Sequence, residues 1–437
     1  MKAGQPTNIT MNQTQKTKKG MNIMKSSKII LAFALTAILC LASFATAFAA
    51  AEPDPTTITK AAITKVLKTP YGTIIPAGMS FEFDITAISV DDEDFDGDEK
   101  NMPEFGTVAI DYDGSQNLKD PVPPGHTAGI CTYYLESADI FKDAKWPHAG
   151  VYVYEIVEKA NTYDIKDPAH EVMTYSGAKY TLNVYVVEDD NNAGKYVIYA
   201  IGDFRTLTDE GTQGGEKVDP TPGGDGKDYF YSQMTFTNTY VKTNGGTDPE
   251  NPDNSTLSIS KAVTGDFGSK TKYFEFTLTV TAPSLVPGTP TYRAYIIEGG
   301  KVVGDPVDFV SGTPNKFELK HGQKLVFIDT PVGTYFTVKE TASAGYVPNI
   351  ALVYDGGTAL ETNNENASIN FGTDEFGHDY DFVGEAENTV GFTNDRNDIT
   401  PTGFNLNDLP FIGMIILALA GAAAFIIIKF RRRNSYR

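Results

Sequence analysis

The chain has 437 residues, with 36 Lys and Arg against 56 Asp and Glu. Its two ends, 1–51 and 404–437, hold eleven of those bases and a single acid. The middle, 52–403, therefore carries an excess of 30 acids, which repels nucleic acid and anionic lipid and excludes a DNA or RNA partner. Aromatic residues make up 11% of the chain, too many for a disordered one.

In chain order, the first feature is basic and then apolar. Lys25 and Lys28 precede the stretch Ile29 to Phe44, and Ala47-Phe48-Ala49 follows with small residues at alternate positions. This is the pattern of a secretory signal peptide in 1–51, cleaved near Ala49–Ala51. Cys40 falls inside it, without the small residue just before it that a lipid-modified cysteine needs. Cys131 is then the one thiol left, so the exported form holds no internal disulfide. Its Thr/Tyr-rich surroundings suggest a buried, inert side chain.

From residue 52 on, short segments of alternating apolar and polar residues are separated by Gly, Pro and Asp turns, as in Tyr180–Val187 and Phe274–Val280. The predicted fold is all-β. Four signatures occur twice in the same order. Ile63–Leu67 is matched by Ile259–Val263, and Phe81-Glu82-Phe83 by Phe274-Glu275-Phe276. Gly150–Glu158 is matched by Gly333–Glu340, and Phe236-Thr237-Asn238 by Phe392-Thr393-Asn394. Two tandem Greek-key, Ig-like β-sandwich domains follow, 52–241 and 255–397, joined by a Gly/Asn/Asp/Pro-rich linker at 242–254. The first carries an acidic insert, Asp91 to Glu104, and a Gly-rich one, Thr208 to Lys227.

Strand parity singles out six residues, because side chains alternate between faces. With Ile63 and Leu67 inward, Lys65 also points inward; Tyr154 and Ile156 bring Glu158 in; Phe236 and Tyr240 bring Asn238 in. The second copy does the same with Lys261, Glu340 and Asn394. A Lys, a Glu and an Asn are each costly to bury alone, and both copies bury all three. Together they can form an amide. A desolvated lysine loses its proton and becomes a nucleophile. The Asn side chain is the acyl donor, and a Glu of raised pKa moves the protons as an acid/base and releases ammonia. The expected products are the cross-links Lys65–Asn238, with Glu158 as catalyst, and Lys261–Asn394, with Glu340.

Beyond the second domain, Ile399-Thr400-Pro401-Thr402-Gly403 precedes an apolar stretch, Pro410 to Ile428, and then Lys429 and an Arg cluster. That stretch is long enough to span a bilayer, with the basic end inside. The order of motif, span and basic tail in 399–437 resembles the sorting signal of Gram-positive wall proteins, in a Pro-Thr-Gly variant. The resemblance implies that a sortase cuts between Thr402 and Gly403 and transfers the Thr402 acyl group to an amine. The front of the motif departs from Leu-Pro and does not fix the sortase class.

Both domains resemble the isopeptide-linked domains of streptococcal-type pilins and collagen-adhesin repeats. The first does so through Ala149–Tyr154 and Met173–Tyr180, the second through Phe317–Gln323 leading into Gly333-Thr334-Tyr335. The resemblance implies the same six residue roles. It implies a pilus (fimbrial) subunit, assembled on or anchored to the cell wall. Its partners would be sortase and other pilin subunits or a peptidoglycan precursor, with the membrane only as a sorting intermediate. The alternative is a single wall-anchored adhesin whose loops bind a host or neighbouring-cell ligand. No catalytic motif of a secreted enzyme occurs, and no cofactor is implied. Asp92-x-Asp94-x-Asp96-Gly97 begins like a calcium loop, but Pro103 stands where the bidentate Glu belongs, so a solvated acidic loop is expected. The five His residues show no metal spacing. Lys227, beside the last strand of the first domain, is the candidate amine for joining subunits.

Overall fold

A computed structural model describes residues 57–98, 100–113, 130–223, 231–244, 246–253, 255–353, 355, 360–362, 382–397 and 409–434. The export segment, Lys227 and the Pro401-Thr402-Gly403 motif lie outside the described residues. The strands are β1 (Thr64–Pro70), β2 (Met79–Val90), β3 (Glu93–Asp94), β4 (Val108–Tyr112), β5 (Ile130–Glu136), β6 (Gly150–Glu158), β7 (Glu171–Thr174), β8 (Lys179–Glu188), β9 (Tyr196–Leu207), β10 (Gln213–Val218) and β11 (Thr235–Asn244). They continue as β12 (Leu257–Thr264), β13 (Phe274–Thr281), β14 (Thr291–Glu298), β15 (Lys301–Val302), β16 (Val307–Val310), β17 (Asn315–Leu319), β18 (Gln323–Phe327), β19 (Thr330–Pro331), β20 (Tyr335–Glu340), β21 (Val347–Val353), β22 (Leu360–Thr362) and β23 (Asn388–Asp395).

The described chain is nearly all β, and its strands form two pairs of sheets. In the first pair, β11-β1-β5, with β7 on β11, lies against β10-β9-β8-β6-β2-β3, with β4 on β2. Inward residues of both sheets fill one core, where Phe236 packs its ring 5.0 Å from Phe83 and 5.1 Å from Tyr180. In the second pair, the larger sheet runs β15-β14-β18-β12-β23-β21-β22 and the smaller β17-β13-β20. Its core holds Phe276, Phe317 and Phe392, with ring centroids 5.1 Å from Phe276 to each of the other two. Strict alternation makes these strands: β13, Phe-Glu-Phe-Thr-Leu-Thr-Val-Thr, buries its Phe, Leu and Val side chains and turns the polar ones outward.

One feature is common to both pairs. The first and last strands of each sandwich run side by side and parallel, β1 with β11 and β12 with β23. Lys65 lies opposite Phe236 and Lys261 opposite Phe392, each two residues before the Asn. A parallel pair needs a long crossover, and here the crossover is the rest of the sandwich.

The structure departs from the sequence reading in three places. Gln213–Val218, inside the Gly-rich insert, is a strand on β9 with a register shift at its glycines. β11 continues to Asn244, and its end pairs with β19 of the second sandwich. Cys131 is half-buried against the first core. Around the β11–β19 pairing, Lys242 Nζ lies 2.6 Å from a Glu385 carboxylate oxygen, and the other oxygen accepts the Ile74 N–H at 2.6 Å. The Tyr71 and Phe382 rings meet edge to face at 4.8 Å. Gly333, at φ +80°, fits here because a Cβ would stand 2.8 Å from the Pro70 Cβ.

Helix α1 (Leu409–Asn434) is continuous, and its described side chains are almost all exposed. Among the described residues no helix is long and apolar enough to cross a membrane. In the acidic insert, Asp96 accepts from the Asp98 N–H and the Asn101 amide, so its carboxylate closes its own turn. No group of His, Cys, Asp or Glu among the described residues could hold a metal ion.

Trp146, the chain's single tryptophan, sits in the first core among Phe105, Phe141, Tyr152 and Tyr154. Phe141 touches three of these rings at centroid distances of 5.1–5.8 Å. Phe141→Ala should therefore destabilise the first sandwich by about 3–5 kcal/mol. Urea unfolding followed by Trp146 fluorescence reads this directly, because the second sandwich has no tryptophan. An unchanged midpoint would mean that the cavity collapses without cost.

Candidate functional site

Lys65 is in the middle of the first core because β1 is buried on both faces. Its Nζ lies over the Phe81 ring, 4.5 Å from the centroid, and 6.0 Å from that of Phe83. Glu158 closes β6 on the facing sheet, paired with Phe83. Its carboxylate accepts two hydrogen bonds from Lys65 Nζ, at 2.7 and 2.9 Å. One of the same oxygens accepts a third from Asn238 Nδ2, at 2.7 Å. The Lys65 and Glu158 side chains are both 0% exposed. Burial lowers the Lys65 amine to about 8, against the partial opposition of the Glu158 charge. Burial raises the Glu158 carboxyl, again against its partners. Both shifts favour the neutral forms, an amine beside a carboxylic acid.

The second sandwich repeats the arrangement. Lys261 Nζ is 4.4 Å from the Phe274 centroid and 5.9 Å from that of Phe276. It donates to Glu340 at 2.8 Å, and Asn394 Nδ2 donates to the other oxygen of the same carboxylate. Lys261, Glu340 and Asn394 are each 2% exposed. Burial lowers this amine to about 8 as well. All six residues singled out by parity are thus brought into two triads.

In each triad one carboxylate bridges a nucleophile and a leaving group, the amine nitrogen and the amide nitrogen. That places it to take a proton from the first and give one to the second. The amide oxygens differ. Asn238 Oδ1 accepts the backbone N–H of Ser176 at 2.8 Å, whereas Asn394 Oδ1 is buried with no partner among the described residues. Ser176 is held in turn by Asp209, whose Oδ1 accepts the Ser176 hydroxyl at 2.5 Å and the Thr237 N–H at 2.8 Å. Neither Ser176 nor Asp209 stood out in the sequence. A backbone donor leaves no mark in a pattern of side chains.

Residues 61–241 match the family described as Spy0128-like isopeptide containing domain. Residues 255–396 match the family described as Domain of unknown function (DUF7601). A pilin of Streptococcus pyogenes serotype M1 is 24% identical over 290 residues, covering 65% of this chain and 69% of the relative. The major pilin of Streptococcus pyogenes, as a solved structure, is 20% identical. The match covers 78% of this chain and 100% of the pilin, with a TM-score of 0.32. The pilus-presented adhesin Spy0125 (Cpa) is 18% identical, with a TM-score of 0.24 over 45% of this chain and 36% of the adhesin.

The lowered Lys65 pKa has a consequence for stability. In Asn238→Ala the amine has no acyl partner and stays titratable. The folded amine titrates at about 8 and an unfolded lysine near 10.4, so the unfolded chain binds more protons between these values. Stability of this variant should therefore rise with pH from about 8 to about 10, by at most about 1.4 kcal/mol per unit. Urea midpoints at the two pH values give the answer. A midpoint that falls over this range would show that Lys65 is charged in the fold.

Proposed function

We propose, from the premise that residues 61–241 belong to the Spy0128-like isopeptide containing domain family, that this chain is a pilus subunit. In this reading it is exported, cross-linked within each sandwich by Lys–Asn isopeptide bonds, and joined by a sortase at Thr402. The observation that carries the reading is the duplicated buried contact. Two sandwiches place Lys, Glu and Asn in the same register on parallel end strands and on the facing sheet. A buried ion pair is poor evidence of stability, because desolvation offsets most of the attraction. The same groups make sense as reactants. Amide formation removes both the buried amine charge and the amide leaving group, and replaces the ion pair with a neutral link. Glu158 and Glu340 serve as the acid/base in the first and second sandwich.

The sorting reading rests on the sequence of 399–437. Pro401 keeps the backbone extended ahead of the scissile bond, and Gly403 permits close approach to the Thr402 carbonyl. In the sequence, the apolar run Pro410 to Ile428 stands ahead of Lys429 and the Arg cluster. This is suited to hold the motif at the outer face of a membrane until cleavage. A wall-attached or polymerised surface protein is the product.

Intact mass is the direct test of the bonds. Residues 52–403 should weigh two ammonia molecules less than their sequence, and Glu158→Ala and Glu340→Ala should each restore one. A full, uncorrected mass for the parent protein would end the cross-linking reading. Attachment is tested separately. Deleting Pro401-Thr402-Gly403 should leave the protein in the membrane fraction, extractable by detergent, while the parent is released only by wall-digesting enzymes. Release of the full-length parent by detergent alone, Arg tail included, would instead describe a plain tail-anchored protein.

A further inference from the structure

The two triads share their nucleophile, carboxylate and amide, and differ at the amide oxygen. Attack by Nζ on the Asn carbon puts negative charge on that oxygen, so a hydrogen-bond donor already aimed at it lowers the barrier. In the first sandwich the Ser176 N–H stands 2.8 Å from Asn238 Oδ1. In the second, Asn394 Oδ1 has no donor among the described residues. The residue opposite Asn394 on the neighbouring strand is Pro348, which has no N–H to give.

The difference follows from how the strand beside Asn ends. β7 leaves β11 after Thr174, so the next turn is free to point a backbone N–H at the Asn side chain. That turn is clamped on the 208–211 turn. The Gly177 N–H donates to the Asp209 carbonyl at 2.7 Å, the Ser176 hydroxyl to the Asp209 carboxylate, and the Ala178 N–H to the Ser176 hydroxyl at 3.0 Å. Gly177 packs so closely that a Cβ would stand 2.9 Å from the Gly211 nitrogen. β21, by contrast, is already paired with β23 at this point, from Val347 opposite Asp395 to Val353 opposite Thr389, so a strand residue and not a turn faces Asn394.

We infer that the Ser176 backbone N–H is the oxyanion donor for closure of the Lys65–Asn238 bond, that Asp209 is the residue that positions it, and that the first sandwich therefore cross-links before the second. The inference rests on the isopeptide reading above. Lys65 Nζ bonds to the Asn238 side-chain carbon, and the oxygen, now anionic, is held by the Ser176 N–H. One hydrogen of the neutral amine passes through Glu158 to Nδ2. The carbon–Nδ2 bond then breaks, ammonia leaves, and the carbonyl reforms as the new amide. Glu158 ends in its starting form.

The order of closure can be measured on the full chain made by cell-free synthesis. Synthesis is stopped, samples are quenched in acid at intervals, and each cross-linked peptide is quantified by mass spectrometry after digestion. In the parent, the Lys65–Asn238 peptide should appear well before the Lys261–Asn394 peptide. Ser176→Pro deletes the N–H and should slow the first bond on the order of a hundredfold, leaving the second unchanged. Asp209→Ala should slow it as well, and Asp209→Asn, which keeps an acceptor at Oδ1, should restore most of the rate. If Ser176→Pro does not fold, Gly177→Ala, which pushes the turn off the 208–211 turn, makes the same decision. Equal rates for the two bonds in the parent, or a parental rate in a folded Ser176→Pro or Gly177→Ala chain, would overturn the inference while leaving the cross-links themselves intact. A parent that forms neither bond would overturn the inference together with the isopeptide reading beneath it.

Discussion

An amine sealed over two phenylalanine rings is the constraint around which each sandwich is arranged. An unpaired ammonium at such a site costs several kcal/mol, and three outcomes relieve it. The amine can lose its proton, pair with a carboxylate, or be consumed in a neutral amide. The surroundings of Lys65 and Lys261 supply the first two at once, by desolvation and by Glu158 or Glu340. The third requires an acyl group within reach, and the register of the parallel end strands provides it. An Asn two residues beyond the Phe opposite the Lys occurs in both sandwiches.

What surrounds this contact is less constrained. The first sandwich sets its carboxylate on a sheet of seven strands, the second on a sheet of three. One flanks the Asn strand with a short strand and a turn, the other with a long strand. The common element is therefore small: two parallel strands, one carboxylate from the facing sheet, and two Phe rings beneath the amine. The proposed cross-linking needs only that element, and the two copies differ around it, as at the Ser176 N–H that meets Asn238 Oδ1 in the first sandwich alone.

Much of this was legible in the sequence because a strand has a period of two. Lys65 falls in phase with Ile63 and Leu67, Glu158 with Tyr154 and Ile156, and Asn238 with Phe236 and Tyr240. The repetition of the same three misfits in a second copy made chance a poor explanation. Phase alone does not suffice. Asp203 is in phase with Ile201 and fully buried, with its carboxyl pushed up to about 8 by burial, yet no second copy drew attention to it. The strand Gln213–Val218 was hidden by Gly214 and Gly215, which contribute no side-chain pattern. The extension of β11 to Asn244 depends on β19, a partner distant in sequence. Ser176 and Asp209 act through a turn whose direction no periodicity encodes.

The parallel pairing of end strands also decides how such a molecule meets a pulling force. When a chain is drawn from the start of β12 and the end of β23, the two points lie at opposite ends of the pair. The tension then runs along the strands, and the ladder from Leu257 opposite Asn388 to Thr264 opposite Asp395 is loaded in shear, all of its bonds at once. An antiparallel pair drawn in the same way would present both points at one end and open like a zip, bond by bond. Here the load passes directly from the first strand to the last, and the strands between them bear almost none of it.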